Sequence, residues 1–104
     1  MKQEIEVTTE VELAEGTMAA TEVDGRWIGV ARAGGELYGF DDECSHDECP
    51  LTTGSVVGRE VECECHGARF DLRTGAVTKA PATEPIRTYP ARVEDGKVVV
   101  ELES

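Results

Sequence analysis

An all-β fold of antiparallel strands is what this sequence predicts, and three observations predict it. Short apolar or β-branched runs recur from one end of the chain to the other, and turn residues separate them. Four of the separators carry Asp-Gly, Gly-Gly or Thr-Gly, which tolerate the positive φ that a tight hairpin needs. No stretch of ten residues holds apolar positions at i, i+3, i+4 and i+7, so helix is marginal.

The runs, in order, are EIEVTTEVEL (4–13), RWIGVAR (26–32), ELYGF (36–40), SVVGREVEC (55–63), ARFDL (68–72), GAVT (75–78), IRTYPARV (86–93) and KVVVEL (97–102). The segments VDGRW, RAGGEL, LRTGAV and VEDGKV are the four expected hairpin turns. With 104 residues the chain is expected to be a single domain, 1–104, with room for a core but not for a second domain. There is no repeat, linker or low-complexity segment.

The formal charge of -12, from 10 basic and 22 acidic residues, argues against nucleic acid or an anionic membrane and for a basic protein partner. The chain has no run of about 18 apolar residues and its start, MKQEIEVTTE, does not resemble a leader. A soluble, cytoplasmic, monomeric protein is expected. A disulfide framework of the secreted kind does not fit, because the cysteines are confined to 44–65 while the apolar runs span the chain.

All four cysteines and both histidines fall in two loop segments, CSHDECP (44–50) and CECHG (63–67). The spacing is Cys44-x-His46, sixteen residues, then Cys63-x-x-His66. Four such ligands suit either tetrahedral zinc or a 2Fe-2S centre in which two histidines replace two cysteines on one iron. The mixed tips and the lack of a helix to carry the histidines favour the cluster, with Cys44 and Cys63 on the inner iron and His46 and His66 on the outer. Two hairpin tips facing each other would place this site at one end of the β-structure. Zinc, or thiols and histidines with no metal, are the alternatives.

The double motif, together with PLTTG, GARFDLRTG and APATEPI over about residues 36–100, resembles the Rieske proteins. The resemblance implies an antiparallel β-sandwich or barrel, with a small cluster-binding subdomain at about 42–82 formed by two loops. It also implies one Rieske-type 2Fe-2S cluster held by Cys44, His46, Cys63 and His66. In bc-type Rieske subunits the loops read Cys-x-His-x-x-Cys and Cys-x-Cys-His, and the two extra cysteines form a disulfide. Cys49 and Cys65 occupy those positions, which implies a Cys49–Cys65 bridge, although soluble oxygenase ferredoxins usually lack the pair. The bc-type proteins continue with Gly-Ser-x-Tyr, whose hydroxyls donate to cluster sulfurs, whereas this chain has Gly67, Ala68, Arg69 and Phe70.

Fewer hydrogen bonds to sulfur lower the potential. Acidic residues act in the same direction: Asp41, Asp42, Glu43, Asp47 and Glu48 flank the first loop, and Glu60, Glu62 and Glu64 the second. A potential near the low end of the Rieske range, about -150 mV, is expected. Both histidines are committed to the cluster, leaving none for a mononuclear catalytic iron. No enzyme activity of its own is therefore expected, and no catalytic residue is assigned. By resemblance the chain is a one-electron carrier between a flavin-dependent ferredoxin reductase and a terminal Rieske oxygenase. The alternatives are the small subunit of an assimilatory nitrite reductase, another Rieske electron-transfer subunit, or a zinc-binding interaction module.

Overall fold

The computed structural model describes residues 2–44, 49–80 and 82–103. The described residues form β1 (Lys2–Thr9), β2 (Met18–Val23), β3 (Arg26–Ala33), β4 (Glu36–Asp41), a 3-10 turn (Leu51–Thr53), β5 (Ser55–Val57), β6 (Glu60–Glu62), β7 (Arg69–Asp71), β8 (Val77–Lys79), β9 (Thr88–Tyr89), β10 (Ala91–Glu94) and β11 (Lys97–Glu103). Every pairing among them is antiparallel, and no α-helix occurs among the described residues. The all-β prediction holds.

All four expected hairpins form. Three have two-residue loops, closing Val23 on Arg26, Ala33 on Glu36 and Glu94 on Lys97. In each loop both central residues have positive φ: Asp24 and Gly25, Gly34 and Gly35, Asp95 and Gly96. That is the geometry of a type I′ turn, whose twist matches the flanking strands. A fifth hairpin divides SVVGREVEC into β5 and β6, closing Val57 on Glu60 around Gly58. The run EIEVTTEVEL also breaks, because β1 stops at Thr9 and the chain turns to bring Leu13 into the core.

Three sheets result, with strand orders β1-β11-β10, β2-β3-β4-β9 and β5-β6-β7-β8. The sheet containing β3 and β4 contributes side chains to two cores. Ile28 and Val30 pack with Leu13, Val98, Val100 and Leu102 toward the β11 sheet. Ala31, Ala33 and Phe40 pack with Leu51, Val61, Phe70 and Leu72 toward the β5–β8 sheet. Alternation along β3 therefore sorts large residues to one face and small ones to the other. The small face is needed: a Cβ on Gly29 would lie 2.6 Å from the Phe40 ring and 3.0 Å from the Thr52 methyl.

The expectation of two facing hairpin tips needs correction. The second motif does sit at the tip between β6 and β7, which pair Glu62 with Arg69. The first does not, because β4 pairs with β3 and β9 and never with β5. Its loop is instead a crossover that carries the chain from the middle sheet to the β5–β8 sheet.

Candidate metal centre

The second loop is built by one tight turn. Val61 points into the core and Glu62 away from it, so strand alternation sends Cys63 inward, where it is 1% exposed. The Cys63 amide donates to the Ala68 carbonyl at 2.8 Å, and the Gly67 amide donates back to the Cys63 carbonyl at 2.9 Å. Gly67 has φ +76, which lets the chain reverse within four residues. Glu64, Cys65 and His66 are thereby left exposed at the tip, and Ala68 and Phe70 return to the core.

In the first loop the Cys44 amide donates to the Cys49 carbonyl at 2.9 Å, and Cys44 is 3% exposed. Leu51, fully buried, anchors the far side of the loop, and the Gly54 amide closes the 3-10 turn on the Leu51 carbonyl at 2.9 Å. Gly54 is also where the two loops meet. A Cβ there would collide with the Glu62 carbonyl oxygen and lie 3.2 Å from the Glu64 amide nitrogen.

Of the sequence-predicted site residues, Cys44 and Cys63 share one core, and His66 is exposed at the second tip. His46 lies outside the described residues, as do Asp47 and Glu48. Cys49 and Cys65 form a disulfide across the two loops, with Cα atoms 6.4 Å apart. The sulfurs of Cys49, Cys63 and Cys65 lie within 4.8 Å of one another. This trio is not a metal site of its own, because a disulfide sulfur is not a thiolate ligand. It places the bridge directly beside Cys63.

The donor set fits a mixed-ligand cluster. The two cysteines outside the bridge are both buried against Leu51, Val61, Ala68 and Phe70, and the second-loop imidazole is exposed beyond them. Soft sulfur donors in an apolar core, with a nitrogen donor at the rim, suit the mixed sulfur and nitrogen ligation of such a centre. The surrounding charge is less one-sided than the sequence suggests. Arg69 Nε donates to Glu62 at 2.7 Å, and Arg69 also lies 4.0 Å from Glu60. The hydrogen bond from Arg69 and then its charge hold the Glu62 carboxyl below its usual range. Asp41 accepts from the Tyr89 hydroxyl at 2.6 Å and lies 3.4 Å from Arg26. Burial, followed by that hydrogen bond, raises the Tyr89 hydroxyl above its usual pKa. The cross-strand register pairing Arg69 with Glu62 was the missing information.

The family described as the Rieske [2Fe-2S] domain matches residues 3–90. The chain belongs to the Rieske [2Fe-2S] domain family. Among relatives, this Rieske domain is 43% identical over 91 residues to the anthranilate 1,2-dioxygenase ferredoxin subunit of Burkholderia cepacia, covering 88% of this chain and 84% of that one. Among solved structures it is similar to the ferredoxin of carbazole 1,9a-dioxygenase from Nocardioides aromaticivorans IC177, with TM-score 0.86, 36% identity and coverage of 94% and 96%. It is also similar to a chain in the complex of reduced oxygenase and oxidized ferredoxin in carbazole 1,9a-dioxygenase, with TM-score 0.87, 28% identity and coverage of 93% and 91%. A Rieske-type 2Fe-2S cluster is the cofactor of this family. Among the described residues, no helix is long and apolar enough to cross a membrane.

The two positions that lack hydroxyls, Ala68 and Phe70, are fully buried in the core that holds Cys44 and Cys63. Ala68→Ser and Phe70→Tyr each add a donor there. A hydrogen bond to a charged acceptor contributes about 1.5–3 kcal/mol. If about half of that differs between redox states, each change raises the potential by about 30–65 mV, since 59 mV accompanies each tenfold change for one electron. Protein-film voltammetry checks this, and an unchanged potential in a double variant whose hydroxyls reach the sulfurs would reverse the ranking of hydrogen bonding over charge.

Proposed function

We propose that this Rieske domain is a one-electron carrier whose cluster is held by Cys44, His46, Cys63 and His66. It receives electrons from a flavin-dependent ferredoxin reductase and delivers them to a terminal Rieske oxygenase, in the cytoplasm and as a monomer. The observation that carries this reading is the layering of the second loop, with the Cys63 thiol buried and His66 exposed one turn further on. The whole chain 1–104 acts as a single domain, with about 42–82 as its cluster-binding subdomain.

When bound, the cluster supplies a reversible one-electron couple. The chain's own residues do the rest. Cys44 and Cys63 would hold it in a core from which Leu51, Val61 and Phe70 exclude water. His66, exposed at the second tip, would be the ligand that a partner can approach. The Cys49–Cys65 bridge ties the loop bearing Cys44 to the loop bearing Cys63 and His66, which limits rearrangement between redox states. The net charge of -12 steers a basic partner face toward the domain, at a rate that falls as salt rises.

The test is sequential. NADH and a dioxygenase-type flavin reductase should bleach the visible absorption of the oxidised protein, and a stoichiometric amount of oxidised terminal oxygenase should restore it. Failure with that oxygenase, together with turnover in a nitrite-reducing flavoprotein complex, would move the chain to the nitrite reductase alternative.

A further inference from the structure

Asp42 is the one buried charged side chain among the described residues, at 5% exposure. Its amide donates to the Trp27 carbonyl at 2.9 Å, which ties it to the start of β3. Its carboxylate accepts from the Thr52 amide at 2.7 Å and from the Thr52 hydroxyl at 2.6 Å, one bond to each oxygen. Asp42 stands two residues before Cys44, and Thr52 three residues after Cys49. One side chain thus joins the two stems of the first loop. Thr52 is seated from the other side as well, because its methyl occupies the space that a Cβ on Gly29 would contest at 3.0 Å.

Joining the stems does not by itself require a charge. An asparagine is isosteric, and its amide can still accept one bond and place its NH2 against the Thr52 hydroxyl. Keeping an ionised carboxylate out of water is costly, and no Lys or Arg pairs with Asp42 among the described residues. The other described acidic neighbours are better screened. Asp41, Glu60 and Glu62 have arginine partners, and Glu43 and Glu64 are exposed to water and salt.

We propose that Asp42 is a positioning residue that staples the first ligand loop through Thr52 and, as a fixed buried anion, lowers the potential of the centre held by Cys44, an inference resting on the ligand assignment above. A desolvated negative charge opposes addition of an electron nearby far more than a surface carboxylate does.

The experiment uses the cluster-bearing full chain as Asp42→Asn, Thr52→Val, Thr52→Ser and Cys44→Ser, with two readouts: the potential by voltammetry, and cluster half-life in a chelator followed by visible absorption. Asp42→Asn should shift the reduction equilibrium about threefold to tenfold toward the reduced state, which is about 28–59 mV upward. Thr52→Val, which loses one hydrogen bond worth about 1 kcal/mol, should shorten the half-life about fivefold, and Thr52→Ser should restore it. An unchanged potential in Asp42→Asn overturns the charge role, and a parental half-life in Thr52→Val overturns the staple. Thr52→Val is isosteric with the parent, so it keeps the proposal open to refutation should Asp42→Asn not fold. Cys44→Ser separates the two levels: if it retains a normal cluster, the ligand assignment fails, whereas its loss alongside parental Asp42 and Thr52 variants condemns the staple alone.

Discussion

Gly54→Ala is expected to lower the melting temperature by roughly 12–24 °C and to leave the protein unable to retain its cluster. The added methyl would collide with the Glu62 carbonyl oxygen and would stand 3.0 Å from the Glu62 carbonyl carbon and 3.2 Å from the Glu64 amide nitrogen. These are backbone atoms, and they flank Cys63, the proposed ligand, so no side chain can swing aside to relieve the contact. Overpacking typically costs about 1–3 kcal/mol, and an obstacle that cannot rotate puts the cost near the top of that range. For a domain of this size each kcal/mol moves the midpoint by about 4–8 °C, which gives the stated shift. The clash can be relieved only by separating the two loops, and that separation displaces Cys44 from Cys63. Gly96→Asn is the control, because a Cβ there meets nothing within 4 Å and asparagine tolerates its φ of +76. It should shift the midpoint by only a few degrees. Calorimetry and visible absorption on both variants check this, and a stable, coloured Gly54→Ala protein would contradict the close apposition of the loops.

Removing the Cys49–Cys65 bridge by a Cys49→Ser, Cys65→Ser double change is expected to cost about 3 kcal/mol, from the loop-closure entropy of a 16-residue separation. The effect on the cluster is expected to be larger than that on the fold. The bridge joins the two motif loops and lies within 4.8 Å of the Cys63 sulfur, so its loss frees the loops to part where the proposed ligands sit. Cluster half-life should fall several-fold while the potential moves less than in the hydroxyl variants. Denatured, unreduced and cluster-free parent protein should titrate with two thiols, from Cys44 and Cys63. Four thiols would show that the bridge is not formed in solution.

Local chemistry made part of this architecture readable in the sequence. Asp24-Gly25, Gly34-Gly35 and Asp95-Gly96 announce their hairpins because positive φ at consecutive residues restricts composition, and the structure places them at two-residue turns. The two motifs read equally well as a family signature, since the Rieske [2Fe-2S] domain match covers both. β2, with its modest MAATEV, gives little signal of its own and is held largely by pairing with β3. The pairing of β1 with β11 joins the two ends of the described chain and has no local signature. The same holds for contacts across the site. Arg69 reaches Glu60 and Glu62 only because of the β6–β7 register, and Asp42 looks like one more surface carboxylate until the 3-10 turn delivers Thr52 to it. The first motif was expected at a hairpin tip because it follows a strand. It lies instead in a crossover between sheets, a distinction that depends on the partner strands of β4 and not on the residues of the loop.

The central claim is mixed ligation of one 2Fe-2S cluster by Cys44, His46, Cys63 and His66, and electron paramagnetic resonance of the reduced protein, with iron and sulfide analysis of the same sample, tests it most directly. The account predicts about two irons and two acid-labile sulfides per chain, with a low average g value of the mixed nitrogen and sulfur type. His66→Cys should move that spectrum toward the all-cysteine type and lower the potential, because thiolate is anionic where imidazole is neutral. One zinc per chain with no sulfide, or a parent spectrum already of the all-cysteine type, would contradict it.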